Sequence, residues 1–554
     1  MIIQPSHSSD LTAASRTEAL NSLSSDGVDL LVIGGGVTGA GIALDAASRG
    51  LRTAVVEMQD WSAGTSSRSS RLVHGGLRYL YQLDVELVAE ALRERGRLLD
   101  VIAPHLVQPQ PFLWPLRTPV IERAYSAVGV GLYDLISRTR GGQLPIQQHL
   151  SKRAALELFP DVRRDQLVGA IRFFDAAVDD ARLVIALIRT AVAHGALAAA
   201  HTEVVELVRH GGAVIGARLR DRLDGTEREV RAAHVISATG VWTEQVERRA
   251  GANPSEALEV LASKGIHLVF ERDRISGEVG LFLRTEKSVL FIIPSPTHWI
   301  IGTTDTPWEG DPDEPVATSE DIDYVLEHAN AVLSSELTRD DIVGVYAGLR
   351  PLVQPVSAQS SAKISREHLI APVAEGMSAI AGGKLTTYRQ MAEDAVDFAL
   401  AERAAETPCV TADLPLVGAA PWSVVSNLAT RLGRDLGWTP HRAEHLGRRY
   451  GTEVARIAEL IEQHPDLAAP LTAAPEYLRA EVVFAVRAEG ALTLADVLRH
   501  RIRLAHEERD SGRAAAEEIA DLVGAELGWD DHQRREQLET WDEWVHRHDR
   551  SYQL

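Results

Sequence analysis

With 554 residues the chain is longer than one hydrophobic core can serve, so two or three domains are expected. Its 57 basic and 78 acidic residues leave a net charge of −21, which excludes nucleic acid as an expected partner but not small anions held by a few pocket arginines. The single cysteine, Cys409, excludes a disulfide framework and any cysteine-rich metal or iron–sulfur site, and fits a reducing cytoplasm.

Met1 to Asp26 is rich in Ser, Thr and Ala without the apolar core of a signal peptide, and reads as a flexible tail. The first element beyond it is a complete βαβ unit. An apolar run, Val28 to Ile33, ends in Gly34-x-Gly36-x-x-Gly39; a helix follows, and a second apolar run closes on Glu57. The first glycine suits a tight turn, the second a close backbone approach to a pyrophosphate, and the third close packing of helix on strand. Val37 and Thr38 open the helix, whose free N–H groups and dipole favour a diphosphate. Glu57 lies 21 residues beyond Gly36, where a carboxylate accepts from ribose hydroxyls. The pattern therefore expects an adenosine without a 2′-phosphate, as in FAD or NAD.

A Ser/Gly-rich loop covers 62–76. Val85 to Leu99 is spaced as an exposed amphipathic helix, after which Pro104, Pro109, Pro111 and Pro115 break regular structure. A helix is expected over 178–196. Strands are expected at Thr202 to Val208 (with Val204 and Val205), Ala213 to Leu219 and His234 to Ser237, then at Ile266 to Phe270, Ser288 to Ile293 and Trp299 to Thr304. Ala381 to Leu400 reads as a glycine turn opening a helix. Residues 406–422 carry Pro408, Pro415 and Pro421 and read as a linker, and 423–554 are helix-patterned throughout. No run of ~20 apolar residues spans a bilayer; Leu183 to Ala200 comes nearest and is interrupted by Arg189 and His194.

Several segments carry chemistry. Thr65-Ser66-Ser67-Arg-Ser-Ser-Arg-Leu-Val-His74-Gly75-Gly76-Leu-Arg78-Tyr79 combines hydroxyls, backbone N–H groups, an imidazole and a cation, suited to a phosphate cradle or a flavin edge, or to an ordinary polar loop. Ala238-Thr239-Gly240 with Trp242 puts small residues at a strand end. Ser263-Lys-Gly-Ile-His267 joins a cation to an imidazole ahead of a strand. Asp305, after Gly302-Thr-Thr, meets either a cofactor amide or a helix end. Arg350 and Arg366 suit bidentate phosphate contact. Gly382-Gly-Lys384-Leu385-Thr386-Thr-Tyr-Arg389 offers close backbone approach and a cation for a reduced flavin or an oxyanion. No metal-ligand set and no Gly-x-Ser-x-Gly elbow occurs.

Taken in order, these segments resemble the FAD-dependent glycerol-3-phosphate dehydrogenases, the respiratory, membrane-associated type. The resemblance spans about 28–390; His74-Gly-Gly-x-Arg-Tyr and Gly-Gly-Lys-Leu-Thr-Thr-Tyr-Arg are its most specific motifs. It implies an α/β fold with a Rossmann-like FAD-binding domain interleaved with a β-rich substrate domain over 27–405 (cap roughly 100–175 and 255–350), plus a C-terminal all-helical domain. It implies noncovalent FAD and oxidation of glycerol 3-phosphate to dihydroxyacetone phosphate, with electrons passed to membrane quinone. Carried over, Arg78, Tyr79, His267, Arg350, Arg366 and Lys384 form the substrate site, and His74 or His267 is the base. A homodimer lying peripherally on the inner face of the cell membrane is expected. Ala124 to Ile136, an apolar stretch between arginines, is read either as an interfacial segment or as a core helix. Competing readings are a glycerol-3-phosphate oxidase that makes peroxide, a flavin amine oxidoreductase, and a non-enzymatic flavin-binding scaffold.

Overall fold

The computed structural model describes residues 7–76, 85–118, 131, 133, 144–249, 258–285, 289–355 and 368–551. Two sheets organise the first two thirds of the chain. The first has eight strands, with the parallel order Met377–Gly382, Glu227–Ser237, Val28–Ile33, Thr53–Val56, Leu197–Ala199 at its centre. His368–Ala374 adds antiparallel at one edge, and the ribbon Thr202–His210/Ala213–Asp221 grows from Glu227–Ser237.

The central strand explains why the sheet is covered on both faces. Leu30 and Val32 point into a core shared with the helices Val37–Ser48, Asp180–Ala193 and Tyr388–Leu400. Leu31 and Ile33 point the other way, into a core built with the ribbon. Alternate residues of a strand face opposite sides, so an apolar run with one exception, Asp29, demands two apolar partners.

The second sheet has ten strands. Its long antiparallel pair, Leu258–Glu271 with Ile342–Pro355, aligns His267 with Tyr346 and Ser263 with Arg350. The sheet continues through His298–Gly302, Val289–Pro294, Gly280–Arg284, Gln108–Leu116, Gly169–Ala177 and Leu72–Val73. The helix Ser319–Asn330 packs on one of its faces. From Trp422 onward the described chain is helical, with two apolar clusters of its own. Sequence segments of the two sheets alternate along the chain, as the interleaved α/β reading expects.

Four local expectations are revised. Residues 7–26 are not a free tail: Ala13–Asp26 is a helix capped by Thr12, which accepts from the Ser15 N–H. It buries Leu20 and Leu23 against the first sheet, and Arg16 is bidentate to Asp221 at 2.9 and 2.8 Å. Tertiary burial of one leucine pair outweighs a Ser/Thr-rich composition. The 406–422 segment is strapped down, because Leu414 and Leu416 enter the first core and the Leu416 N–H donates to the Ile102 carbonyl at 2.9 Å. The helix Val85–Arg97 is less exposed than its pattern suggests, since Glu94 and Arg95 are buried in ion pairs with Arg389 (2.6 Å) and Asp175 (2.5 Å). Ser263 to His267 lies within a strand rather than ahead of one. The Ala124 to Ile136 reading falls outside the described residues except for Gly131 and Tyr133; Tyr133 is buried and its hydroxyl donates to Asp175 at 2.5 Å. Among the described residues no helix is long and apolar enough to cross a membrane.

The helical unit docks on the nucleotide-binding unit through buried charge. Arg501 donates to both oxygens of Asp60 at 2.6 and 2.9 Å, and His500 Nδ1 bonds the same carboxylate at 2.7 Å. Arg182 is bidentate to Glu489. Arg501 holds the Asp60 carboxyl far below the usual carboxylate range despite its burial. Removing one partner leaves the other buried and uncompensated, a loss of about 3–5 kcal/mol. Arg501→Met is therefore expected to lower the thermal unfolding midpoint by several degrees, and Asp60→Leu in the same chain to recover part of it. Equal midpoints for wild type and Arg501→Met, read by calorimetry, would remove the pair from the interface that holds the two units together.

Candidate functional site

The carboxyl ends of the central parallel strands open into a cleft of roughly 1310 Å³. Gly34 has φ +111°, and an added Cβ would sit 2.6 Å from the Ala238 carbonyl oxygen. At Gly39 a Cβ would lie 1.8 Å from the Gly34 carbonyl oxygen, so only glycine lets the helix start seat on the strand. Gly36 caps the helix and faces the cleft with bare backbone. Two of the expected free N–H groups are already engaged: Val37 donates to Ser66 Oγ at 2.9 Å and Gly35 to Glu57 at 2.6 Å. The second Glu57 oxygen accepts from the Gln59 N–H at 2.8 Å. The carboxylate is thus fixed in orientation at the cleft wall, with lone pairs left over for hydroxyl donors.

Of the residues expected at a dinucleotide, Gly34, Gly36, Val37, Thr38, Glu57, Thr65, Ser66, Val204, Ala238, Thr239, Gly240, Trp242, Lys384 and Leu385 line this cleft. Gly240, at φ +56°, has open space where a side chain would be. Gly382 and Gly383 both have positive φ, and a Cβ on Gly383 would strike Met391 Sδ at 2.3 Å, so the Gly-Gly pair is needed for the chain to enter the helix behind it. A glycine-lined, carboxylate-bearing cleft at the carboxyl ends of a parallel sheet fits an adenine dinucleotide.

Other expected contacts are corrected. Ser67 is buried away from the cleft, and its carbonyl accepts from Arg503 at 2.8 Å. The Gly75 N–H donates to Tyr133 Oη and Asp175, and neither Gly75 nor Gly76 lines the cleft. Val205 sits at a bulge between Val204 and Glu206, which turns it off the wall that Val204 lines. Asp305 neither caps a helix nor lines the cleft: it accepts from Ser263 Oγ at 2.5 Å and pairs with Arg350 at 3.3 Å. Gly39 does not line the cleft, and its contact with the Gly34 carbonyl is one of packing.

A second chamber of roughly 1100 Å³ adjoins the cleft and shares Val37, Thr65, Ser66 and the 382–385 turn with it. Its walls bring together His74, His267, Arg350, Lys384 and Thr386 from distant parts of the sequence. His267 is 3% exposed, its Nε2 bonds Ser70 Oγ at 2.8 Å, and its ring stacks on Tyr346 at 4.8 Å and 17°. Burial first, then the nearby Arg350 and Arg71 charges, push this imidazole down to about 3, so it is neutral at pH 7. Arg350 is oriented by Asp305, by Thr303 Oγ1 at 3.0 Å and by the Thr304 carbonyl at 3.0 Å. Thr386 Oγ1 ties the His74 backbone, accepting from its N–H at 3.1 Å and donating to its carbonyl at 3.2 Å. Arg78, Tyr79 and Arg366 lie outside the described residues.

Three residues of this site were not singled out from the sequence. Ser70 and Arg68 stand in the hydroxyl-rich loop already marked, but their contacts are with residues near 267 and 348, far along the chain. Tyr346 is legible only once strand pairing sets it opposite His267. Lys264, conversely, leaves the site: it is buried against Asp321 at 2.6 Å.

A dinucleotide cleft opening onto a chamber with a neutral histidine and oriented cations defines a flavoprotein oxidoreductase of two interleaved sheets. Residues 29–389 match the family model "FAD dependent oxidoreductase", and 409–534 match "C-terminal domain of alpha-glycerophosphate oxidase". Glycerol-3-phosphate dehydrogenase 2 of Mycobacterium tuberculosis is 47% identical over 94% of this chain and 88% of its own length. The human mitochondrial glycerol-3-phosphate dehydrogenase is 39% identical over 92% of this chain and 72% of its own. The crystal structure of the glycerol-3-phosphate dehydrogenase from Bacillus halodurans complexed with FAD superposes with a TM-score of 0.79 at 29% identity, covering 96% and 97% of the two chains. The chain belongs to the FAD-dependent glycerol-3-phosphate dehydrogenase family, and its cofactor is FAD.

Two expectations follow. Gly39→Val forces the helix start off the strand, so the purified variant is expected to lose most of its bound flavin absorbance; full retention would contradict the packing argument. His105 and His267 are both buried and held down to about 3, against an ordinary 6.5. Between those values the unfolded chain binds protons that the folded chain refuses. Stability is therefore fully present above about 6.5 and falls as pH drops below it, by up to about 1.4 kcal/mol per pH unit for each histidine. Unfolding midpoints at pH 7 and pH 5 measure this, and His105→Gln should flatten the dependence.

Proposed function

We propose that the chain oxidises sn-glycerol 3-phosphate to dihydroxyacetone phosphate, with His267 as the general base. The observation that carries the reading is the convergence of His267, Arg350 and Lys384 on one chamber continuous with the dinucleotide cleft. FAD, held by the residues of that cleft, supplies the two-electron acceptor chemistry.

The chain's own groups do the rest. His267 is neutral at working pH and its ring is locked by Ser70 and Tyr346, so it is ready to take the proton of a C2 hydroxyl. This favours His267 over His74, whose backbone clasp to Thr386 serves to fix the loop. Arg350, held by Asp305 and Thr303, presents a cation of fixed orientation to the phosphate, which pre-organises the substrate and excludes uncharged alcohols. Lys384, on the glycine turn between cleft and chamber, stabilises negative charge that develops during transfer. Arg78, Tyr79 and Arg366 complete the substrate contacts by their place in the family motifs.

For the acceptor the proposal is a membrane quinone, reached by a homodimer attached peripherally to the inner face of the cell membrane; the names of the two curated relatives given above, both dehydrogenases, support it over an oxygen-using oxidase. Anaerobic addition of glycerol 3-phosphate to the purified holoenzyme is expected to bleach the long-wavelength flavin absorption. No bleaching with glycerol 3-phosphate, but bleaching with sarcosine or proline, would sink the substrate assignment. His267→Gln should slow the bleaching by about 10²- to 10⁴-fold while retaining FAD. Arg350→Ala should raise KM for the phosphate ester strongly, also with FAD retained. Stoichiometric peroxide in air with no turnover of a quinone analogue would replace the acceptor by oxygen.

A further inference from the structure

One arginine of the chamber has no role in that scheme. Arg68 lines the same wall as Ser70, His267 and Arg350. Its backbone is pressed on Gly348, where a Cβ would lie 2.8 Å from the Arg68 carbonyl oxygen, and Thr65 Oγ1 donates to the Leu349 carbonyl at 2.6 Å. The loop carrying Arg68 is therefore laid along the strand that carries Arg350, which fixes the backbone and Cβ of Arg68 against it.

What distinguishes Arg68 is its electrostatic company. Arg71 pairs with Glu507 at 2.7 Å, Arg503 with Asp180 at 3.1 Å, and Arg350 with Asp305. Among the described residues Arg68 has no carboxylate within ion-pair distance, and its hydrogen bond is a long one, 3.5 Å to the Ala347 carbonyl. Burial and the neighbouring Arg499 and Arg503 push its guanidinium down to about 9, with Asp313 opposing. Arg499 likewise lacks a carboxylate in ion-pair range among the described residues, and lies over the Trp544 ring at 5.3 Å. A largely buried cation backed by further cations is costly to hold, and the cost is relieved when an anion enters.

We infer that Arg68 is a further guanidinium contact for the anionic group of the substrate, a dianionic phosphate ester, supplied by the nucleotide-binding loop rather than by the substrate sheet. The inference rests on the phosphate-ester reading proposed above. It assigns Arg68 to capture of the anion and not to the chemical step, because Arg350, His267 and Lys384 already account for orientation, proton removal and charge stabilisation. An arginine acting in uniform binding raises affinity for ground and transition state alike, so its loss appears in KM and not in kcat.

The test compares wild-type holoenzyme with Arg68→Met and Arg68→Lys. Inorganic phosphate is titrated while the flavin spectrum is followed, and steady-state oxidation of glycerol 3-phosphate is measured at low and high ionic strength. Arg68→Met is expected to weaken phosphate binding and raise KM by about tenfold or more, to leave kcat within about twofold, and to flatten the salt dependence of kcat/KM; Arg68→Lys should recover part of the loss. Retained flavin absorbance in both variants shows that they fold. Phosphate binding and KM within twofold of wild type would overturn the inference, as would a fall in kcat at unchanged KM. Failure of the wild type to turn over glycerol 3-phosphate would strike the proposed reaction instead, while the phosphate titration still decides the role of Arg68.

Discussion

The buried carboxylate of Asp60 is the point on which the functional geometry hangs. It closes the first βαβ unit on one side and opens the loop that walls both cleft and chamber on the other. Arg501 and His500 of the helical unit hold it, Arg503 holds the Ser67 carbonyl and Asp180, and Asp180 in turn accepts from the N–H and hydroxyl of Ser69 at 3.0 and 2.7 Å. Glu507 holds Arg71. A loop rich in serine and glycine has little intrinsic order, yet here it is gripped from behind at Asp60, Ser67, Ser69 and Arg71, so its front face can present Thr65, Ser66, Arg68 and Ser70 in fixed positions.

This arrangement gives the helical unit a physical reason to be part of the enzyme. Buried ion pairs contribute little net stability, because desolvation offsets most of the attraction, but they tolerate only one geometry. Placed behind a loop, they convert docking of a separate helical unit into register of the site. The same economy operates at His267: its ring is held by Ser70 from the loop and by Tyr346 from the neighbouring strand, and Tyr346 in turn donates to the Ser69 carbonyl at 3.1 Å. Base, loop and substrate strand are one connected unit.

The α/β class, the position of the dinucleotide cleft and the helical C-terminal unit were legible from local signals. Apolar runs, three spaced glycines and an acid beyond them act over neighbouring residues, where backbone sterics decide the outcome, and the Gly34, Gly39 and Gly383 contacts show those sterics directly. Legibility ended where partners are remote. Ser67, Gly75 and Asp305 have the right chemistry for a cofactor and lie close to it in sequence, but each is spent on another group: Arg503, Tyr133 and Arg350. The N-terminal helix was missed because its composition is that of a tail and its stability comes from Leu20, Leu23 and the Arg16–Asp221 pair, which exist only after the sheet has formed.

By itself, then, the sequence determined most of the elements and the cofactor class, though not the helix Ala13–Asp26 or the strand Gln108–Leu116, because turn glycines, helix starts and apolar periodicity are properties of short segments. The tertiary structure alone decided which titratable groups meet: that His267 is buried, neutral and backed by Ser70, that Arg350 is held by Asp305, and that Arg68 lines the chamber with no carboxylate in ion-pair range among the described residues. Each is a matter of distance and burial between residues far apart in the chain, and electrostatic energy depends on those two quantities and not on sequence separation.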